Sequence, residues 1–194
     1  MGADGLAQRV SSGFGLTLDD RVLQRARRGD NDAHAVIYGM FSRACYNLAL
    51  RILGEPAAAE DVVQDVFLRM MDTIRGFRGD APFGAWLKRM TANATIDVIR
   101  RQRRFAGEDA EDWLLHAQAA DVPAETSADA WSLLMQLSPR SRAVVLLHEM
   151  EGYTHKELAG LFGQSESYSK SVLARALRRL DLLAHGGIGS GEVK

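Results

Sequence analysis

The sequence predicts an all-α protein: two small helical domains joined by an acidic flexible linker, the second a helix-turn-helix domain. Three observations carry that prediction. Apolar residues recur at steps near 3.6, with no strict alternation of the strand type and nothing like a parallel βαβ unit. Charge is segregated along the chain. And a capping box near the C-terminal end opens a short helix that stops at a glycine and is followed by a basic helix.

With 194 residues, the chain has room for one ordinary domain or two small ones. Its 46% hydrophobic content exceeds what a disordered chain carries, so it folds. The 24 Lys and Arg nearly cancel the 25 Asp and Glu, yet they are not mixed. Asp19 to Arg104 holds 15 basic and 11 acidic residues, and Ser132 to His185 holds 7 and 5. Between them, Phe105 to Trp131 carries seven acidic residues and neither Lys nor Arg. Trp113, Leu114 and Leu115 are too few to bury a domain there, so the stretch reads as a tether with one short helix. The expected organisation is a mobile start (1–18), a basic domain (19–104), the linker (105–131), a second basic domain (132–185) and a mobile tail (186–194). The single cysteine, Cys45, excludes an internal disulfide framework and points to a reducing, cytoplasmic setting. No secretion signal or bilayer-length apolar run is read in the sequence, so neither export nor insertion is expected.

In the first domain, Asp30 or Asn31 caps a helix whose apolar residues Val36, Ile37, Phe41, Cys45, Leu48 and Ile52 share a face, until Gly54 and Pro56 stop it. The next helix carries a continuous stripe, Val62, Val63, Val66, Phe67, Met70, Met71 and Ile74, with Asp61, Asp65 and Asp72 opposite. A third runs from about Phe83 to Arg104, with Leu87, Met90, Ala94 and Val98 able to face inward. The second domain opens with Trp131, Leu133, Leu134 and Leu137, then Ser138-Pro139, an N-cap with proline at the first helical position, and a helix bearing Val144, Val145, Leu146 and Leu147. Thr154-His155-Lys156-Glu157 is the capping box; Leu158, Ala159 and Phe162 form that helix's buried face, and Gly163 ends it. Ser165 or Ser167 starts the last helix, with Tyr168, Val172, Leu173, Ala176, Leu177 and Leu180 along one side.

The second helix of such a pair fits the DNA major groove. On that logic Glu166, Ser167, Ser169 and Lys170 reach bases, while Arg175, Arg178 and Arg179 approach phosphates. From Thr73 to Arg104 lie eight basic residues against two acidic, interleaved with Phe77, Phe83 and Trp86. Rings beside cations suit single-stranded nucleic acid, although the same rings could anchor the core. The acid stripe of Asp61, Asp65 and Asp72 has no histidine or nucleophile in register for acid/base work, so it reads as a solvated helix face. His148, Glu149, Glu151 and His155 lack the spacing that puts two imidazoles on one helical face, and the glycines at 186, 187, 189 and 191 follow no strand. Neither a metal site, a phosphate cradle nor an active site is expected, and no cofactor.

The stretch from Leu50 to Arg104 resembles the first domain of the extracytoplasmic-function (ECF) sigma factors, and that from Leu137 to Leu180 resembles their second. The resemblance implies a promoter-specificity subunit of bacterial RNA polymerase, not an enzyme. It implies that the helix bearing Glu60-Asp61-Val62-Val63-Gln64-Asp65 docks on the core polymerase clamp, with Glu60, Asp61, Gln64 and Asp65 as contacts. It assigns Phe77, Arg78, Phe83, Trp86, Lys88 and Arg89 to the melted −10 strand, and Asn93, Asp97, Arg100 and Arg101 to the −10 element. The −35 duplex falls to Glu166, Ser167, Tyr168, Ser169, Lys170, Ser171, Arg175, Arg178 and Arg179. An anti-sigma partner is a common accompaniment. Two departures stand out: Ala58 replaces the first acid of the family's Asp-Ala-Glu-Asp run, and Tyr168-Ser169-Lys170-Ser171-Val172 replaces the usual Thr-Val-Lys-Ser-Arg. The rivals are a conventional helix-turn-helix regulator working without polymerase, and a small metal-dependent hydrolase built around His148 and His155.

Overall fold

The computed structural model describes residues 13–106 and 128–186, and every regular element among them is helical. The acidic linker, with Trp113, Leu114, Leu115 and the short helix expected there, lies outside the described residues. The chain divides into two compact units, Met1–Val98 and Ile99–Lys194. Among the described residues no helix is long and apolar enough to cross a membrane.

The first unit starts with a 3₁₀ turn, Gly13–Gly15, followed by α1 (Asp20–Arg27), α2 (Asn31–Leu53), α3 (Pro56–Thr73), a 3₁₀ turn (Ile74–Gly76) and α4 (Phe83–Ala106), whose last turns run past the division. Local chemistry sets these boundaries. Asp19 accepts from the Arg21 amide at 2.7 Å to cap α1. Of the two candidate caps for α2, Asp30 is used, accepting from Asp32 and Ala33 at 3.0 and 3.2 Å. Gly54 ends α2 at φ 77°, a left-handed geometry suited to glycine, and Pro56 opens α3 where no helical N–H is needed.

The core of this unit is the seam of α2 and α3: Ile37, Phe41, Cys45, Leu48 and Ile52 against Val62, Val63, Val66, Phe67 and Met70. Val36 and Met71, expected inside, are exposed instead, because each sits at the edge of its stripe where the partner helix no longer covers it. On α4 the buried face is rotated from the expected one. Leu87 and Ala94 are buried, but Met90 and Val98 are only half-buried, and Thr91, Ala92, Thr95 and Ile96 take the interior. The two threonines can be buried because each hydroxyl bonds back one turn, Thr91 Oγ1 to Leu87 O at 2.9 Å and Thr95 Oγ1 to Thr91 O at 2.8 Å. The expected mobile start is packed where it is described: Phe14 is buried, and its backbone lies directly on Gly84.

The second unit comprises α5 (Ala128–Met135), α6 (Pro139–Val145), a π-helical turn (Leu146–Met150), α7 (His155–Phe162) and α8 (Glu166–Gly186). Ser138 caps α6 by accepting from the Ser141 amide at 3.0 Å. Its core gathers Trp131, Leu137, Val144, Leu147, Leu158, Phe162, Val172, Leu173 and Ala176. Leu177, expected on the inner side of α8, is exposed. Arg142, counted among the cations of this basic domain, is buried, with Nη1 donating to Met135 Sδ at 3.0 Å, and burial brings its guanidinium down to about 10. It is still charged at neutral pH but adds nothing to the surface.

Candidate nucleic-acid interface

Burying one face of α3 turns a second, polar face outward. Glu60, Asp61 and Gln64 are exposed and Asp65 is half-buried, all spaced to share one side of the helix. The stripe continues through Leu68, 57% exposed, and Met71, 38% exposed, two large apolar side chains on open surface. The sequence reading missed Leu68 and put Met71 in the core. Beside this face, Tyr38, Ser42, Arg43 and Tyr46 of α2 line a groove with Glu60, Val63 and Gln64.

The segment from Gly76 to Trp86 is organised by its rings. Phe77 and Phe83 are both buried, with centroids 5.4 Å apart in an edge arrangement, and Phe83 also meets Phe41 at 5.6 Å. Half-buried Trp86 packs on Phe77 at 5.2 Å and on Phe83 at 5.3 Å. As placed here, Phe77 and Phe83 have no open face on which a base could stack, which corrects the expectation for those two. Trp86 keeps part of its ring outside. The tip of the loop is exposed, with Arg78 Nη2 paired to Asp80 Oδ2 at 2.9 Å around Gly79, whose φ is +83°.

Along α4 the outward face carries Arg89, Asn93, Arg100 and Arg101, all exposed, with Lys88 half-buried at its edge. Asp97, also half-buried, lies on the same side and meets Arg69 of α3 at 3.9 Å. The stripe carries four cations with one carboxylate among them, an arrangement suited to a phosphate backbone.

In the second unit the capping box is complete. Thr154 Oγ1 accepts from the Glu157 amide at 3.2 Å, and Glu157 Oε2 accepts from the Thr154 amide at 2.8 Å. Gly163 turns the chain at φ 62°. Ser165, one of the two expected caps, starts α8 by accepting from the Tyr168 amide at 3.1 Å. Glu166, Ser167, Lys170, Ser171, Arg175, Arg178 and Arg179 all face outward from α8. Ser169 does not. It is 1% exposed, its Oγ 3.0 Å from His155 Nδ1, so a residue expected at the bases instead ties the two helices of the motif together. Tyr168 is half-buried beneath the Arg140 guanidinium, 4.8 Å from its centroid.

The histidines have a positioning role. The π-helical turn, in which Glu151 N–H donates to Leu146 O at 3.1 Å, aims His148 Nδ1 at Tyr153 O, 2.7 Å away. A carbonyl only accepts, so this nitrogen carries the proton. His155 stacks on that ring at 4.4 Å, and burial together with His148 and Lys170 holds it below the usual imidazole range against the opposing pull of Glu166 and Glu149. No group of three or more potential ligands is assembled for a metal among the described residues. Cys45 is buried, and desolvation pushes its thiol up to about 11.

This geometry can be set beside known proteins. The sequence matches the Sigma-70 region 2 model over residues 37–105 and the Sigma-70 region 4 model over residues 127–180. SigM of Mycobacterium tuberculosis, an ECF RNA polymerase sigma factor, is 31% identical over 163 residues that cover 84% of this chain and 82% of SigM. The chain belongs to the ECF RNA polymerase sigma factors. RfaY of Xanthomonas campestris, a probable RNA polymerase sigma factor, is 33% identical over 172 residues, and the match spans 77% of this sigma factor but 42% of that longer protein. The sigma factor RpoE of Bartonella quintana, solved with the anti-sigma factor NepR, shares the fold at a TM-score of 0.55 and 24% identity, over 74% of this chain and 92% of RpoE. In this sigma factor, α3 and α4 fall within the region 2 match and α7 and α8 within the region 4 match, apart from the ends of α4 and α8.

Proposed function

We propose that this sigma factor binds core RNA polymerase through the outward face of α3 and reads a bipartite promoter with α4 and α8. One observation supports this best. Two separate helices, α4 and α8, each have a buried apolar back and a front of Arg, Lys and Asn or Ser, as two independent grips on a polyanion require. In this reading Glu60, Asp61, Gln64 and Asp65 meet the polymerase clamp, and Leu68 and Met71 add the apolar contact, since exposed apolar side chains beside a polar stripe suit a protein partner. Arg78, Trp86, Lys88, Arg89, Asn93, Asp97, Arg100 and Arg101 serve the −10 region, with Phe77 and Phe83 holding Trp86 in place. Glu166, Ser167, Lys170, Ser171, Arg175, Arg178 and Arg179 serve the −35 duplex, while Ser169 and Tyr168 set the angle of α8. The domains at work are 19–104 and 132–185, joined by the acidic tether. The protein performs no reaction of its own, acts in the cytoplasm, and is restrained by an anti-sigma partner.

Reconstitution tests the proposal. With core polymerase added, the protein should start transcripts at defined genomic sites and shift promoter fragments that it does not shift alone. Tight duplex binding by the isolated chain, with no response to core, would favour the conventional regulator instead. Leu68→Glu should reduce core affinity at least tenfold while moving the unfolding midpoint little, because the side chain it replaces is already more than half exposed. Unaltered core binding by that variant would remove α3 from the interface.

A further inference from the structure

The loop from Gly76 to Pro82 is held at its root by residues upstream of position 37, where the region 2 match begins. Arg27, the last residue of α1, donates through Nη2 to the carbonyl of Phe77. In return, Arg75 Nε donates to the carbonyl of Arg27 at 3.1 Å. The two bonds run in opposite directions between the same two places, so they fix both the separation and the twist of the loop root. α1 is anchored in its turn: Arg25 Nε donates to Asp30 Oδ2 at 2.7 Å, and His34 Nε2 donates to Ala26 O at 3.0 Å. A hydrogen-bonded path therefore leads from the first turn of α2, through the end of α1, to Phe77. On its other side the Phe77 ring is wedged against Phe83 and Trp86. Beyond this anchor Arg78 and Asp80 are exposed and bonded to each other.

A loop that is ordered before its ligand arrives does not lose that conformational freedom on binding, and the gain appears as affinity. We propose that Arg27 and Arg75 form a clasp that preorganises this loop for the melted −10 strand, making Arg27 a positioning residue for promoter opening. The inference rests on the proposed −10 role of the loop and α4.

The test compares wild-type protein, Arg27→Ala, Arg75→Ala and the double variant against three ligands. Each free chain is titrated with core polymerase, and each reconstituted holoenzyme with a −35 duplex and with a fluorescent single strand bearing the −10 segment of a promoter mapped for this protein. Arg27→Ala should weaken single-strand binding roughly tenfold, the scale of one charge-assisted hydrogen bond, while core and −35 affinities stay within about twofold. The double variant should be weaker than Arg27→Ala, because the Arg27 carbonyl that receives Arg75 survives in that variant, but by less than the sum of the two single losses, because both bonds hold one loop root. The salt dependence of strand binding should not change. A slope reduced by about 0.7 would make Arg27 a phosphate contact and overturn the clasp. So would unchanged strand affinity, additive losses, or equal losses for all three ligands, the last of which marks a damaged fold. Wild-type holoenzyme without affinity for the −10 strand would overturn the proposed function and the clasp with it.

Discussion

Gly84→Ala should destabilise the first unit, although in a helix the change normally does the opposite. Alanine is better than glycine in a helix interior by up to about 1 kcal/mol, and at Gly84, the second residue of α4, the gain is at most that. A Cβ at this position would sit 1.9 Å from the carbonyl oxygen of Phe14, 2.8 Å from its carbonyl carbon and 3.1 Å from its Cα. Non-bonded carbon and oxygen approach to about 3.3 Å, so the Phe14 backbone must retreat by about 1.4 Å. The obstacle is backbone, which cannot swing aside as a side-chain tip could. A gap of that size forfeits more than half the dispersion contact of the buried Phe14 ring. Complete removal of a buried Phe side chain costs about 3–5 kcal/mol, which sets the ceiling for the clash. Subtracting the helix gain leaves an expected net loss of about 1–3 kcal/mol.

The assay is urea unfolding followed by fluorescence, in a chain whose Trp113 and Trp131 are replaced by phenylalanine so that Trp86, two residues from the site, reports alone. The decisive comparison is the sign. In a chain starting at Thr17 the Phe14 backbone no longer lies on Gly84, and the same substitution should stabilise by up to about 1 kcal/mol. In the full chain, Phe14→Ala and Gly84→Ala should fall short of additivity by at least about 1 kcal/mol, since both act on one contact. Strict additivity, or stabilisation by Gly84→Ala in the full-length chain, would refute the packing of Phe14 on α4.

Two other predictions concern the second unit. The His155 imidazole is held low in the fold, so above pH 6.5 it is neutral in both states and has no effect; below that the unfolded chain takes up the proton first. Stability should therefore fall as pH drops from 6.5 through the lowered native value, and His155→Asn should flatten the fall in thermal midpoint between pH 7.5 and 5.5. Arg178→Ala and Arg179→Ala, both at exposed positions on α8, should each weaken holoenzyme binding to a −35 duplex and reduce the salt slope by about 0.9 per lost phosphate contact, with sequence preference unchanged.

Much of the fold was legible because helix boundaries are written locally. Asp30, Ser138-Pro139, the Thr154–Glu157 box and Gly163 act over three or four residues, and all appear where the sequence put them. The outward faces of α3 and α8 were legible for a similar reason, since helical periodicity separates a stripe from its opposite side. What could not be read was the edge of each stripe. Whether Val36, Met71, Met90 or Leu177 is covered depends on where the next helix stops. The π-helical turn at Leu146–Met150 interrupts a run of apolar residues that periodicity alone continues as one helix.

By itself the sequence determined the helical class, the starts and stops of the helices, and the order of its region 2 and region 4 segments, because these depend on near neighbours and on motifs of contiguous residues. The tertiary structure alone decided the fate of side chains whose partners lie far along the chain. It closed Phe77 and Phe83 into an aromatic cluster, buried Ser169 against His155, laid Phe14 on Gly84, and joined Arg27 to Phe77. Each of these is a contact between segments that only packing brings together, and the cost of burying or bonding a group is set by the atoms around it rather than by its place in the chain.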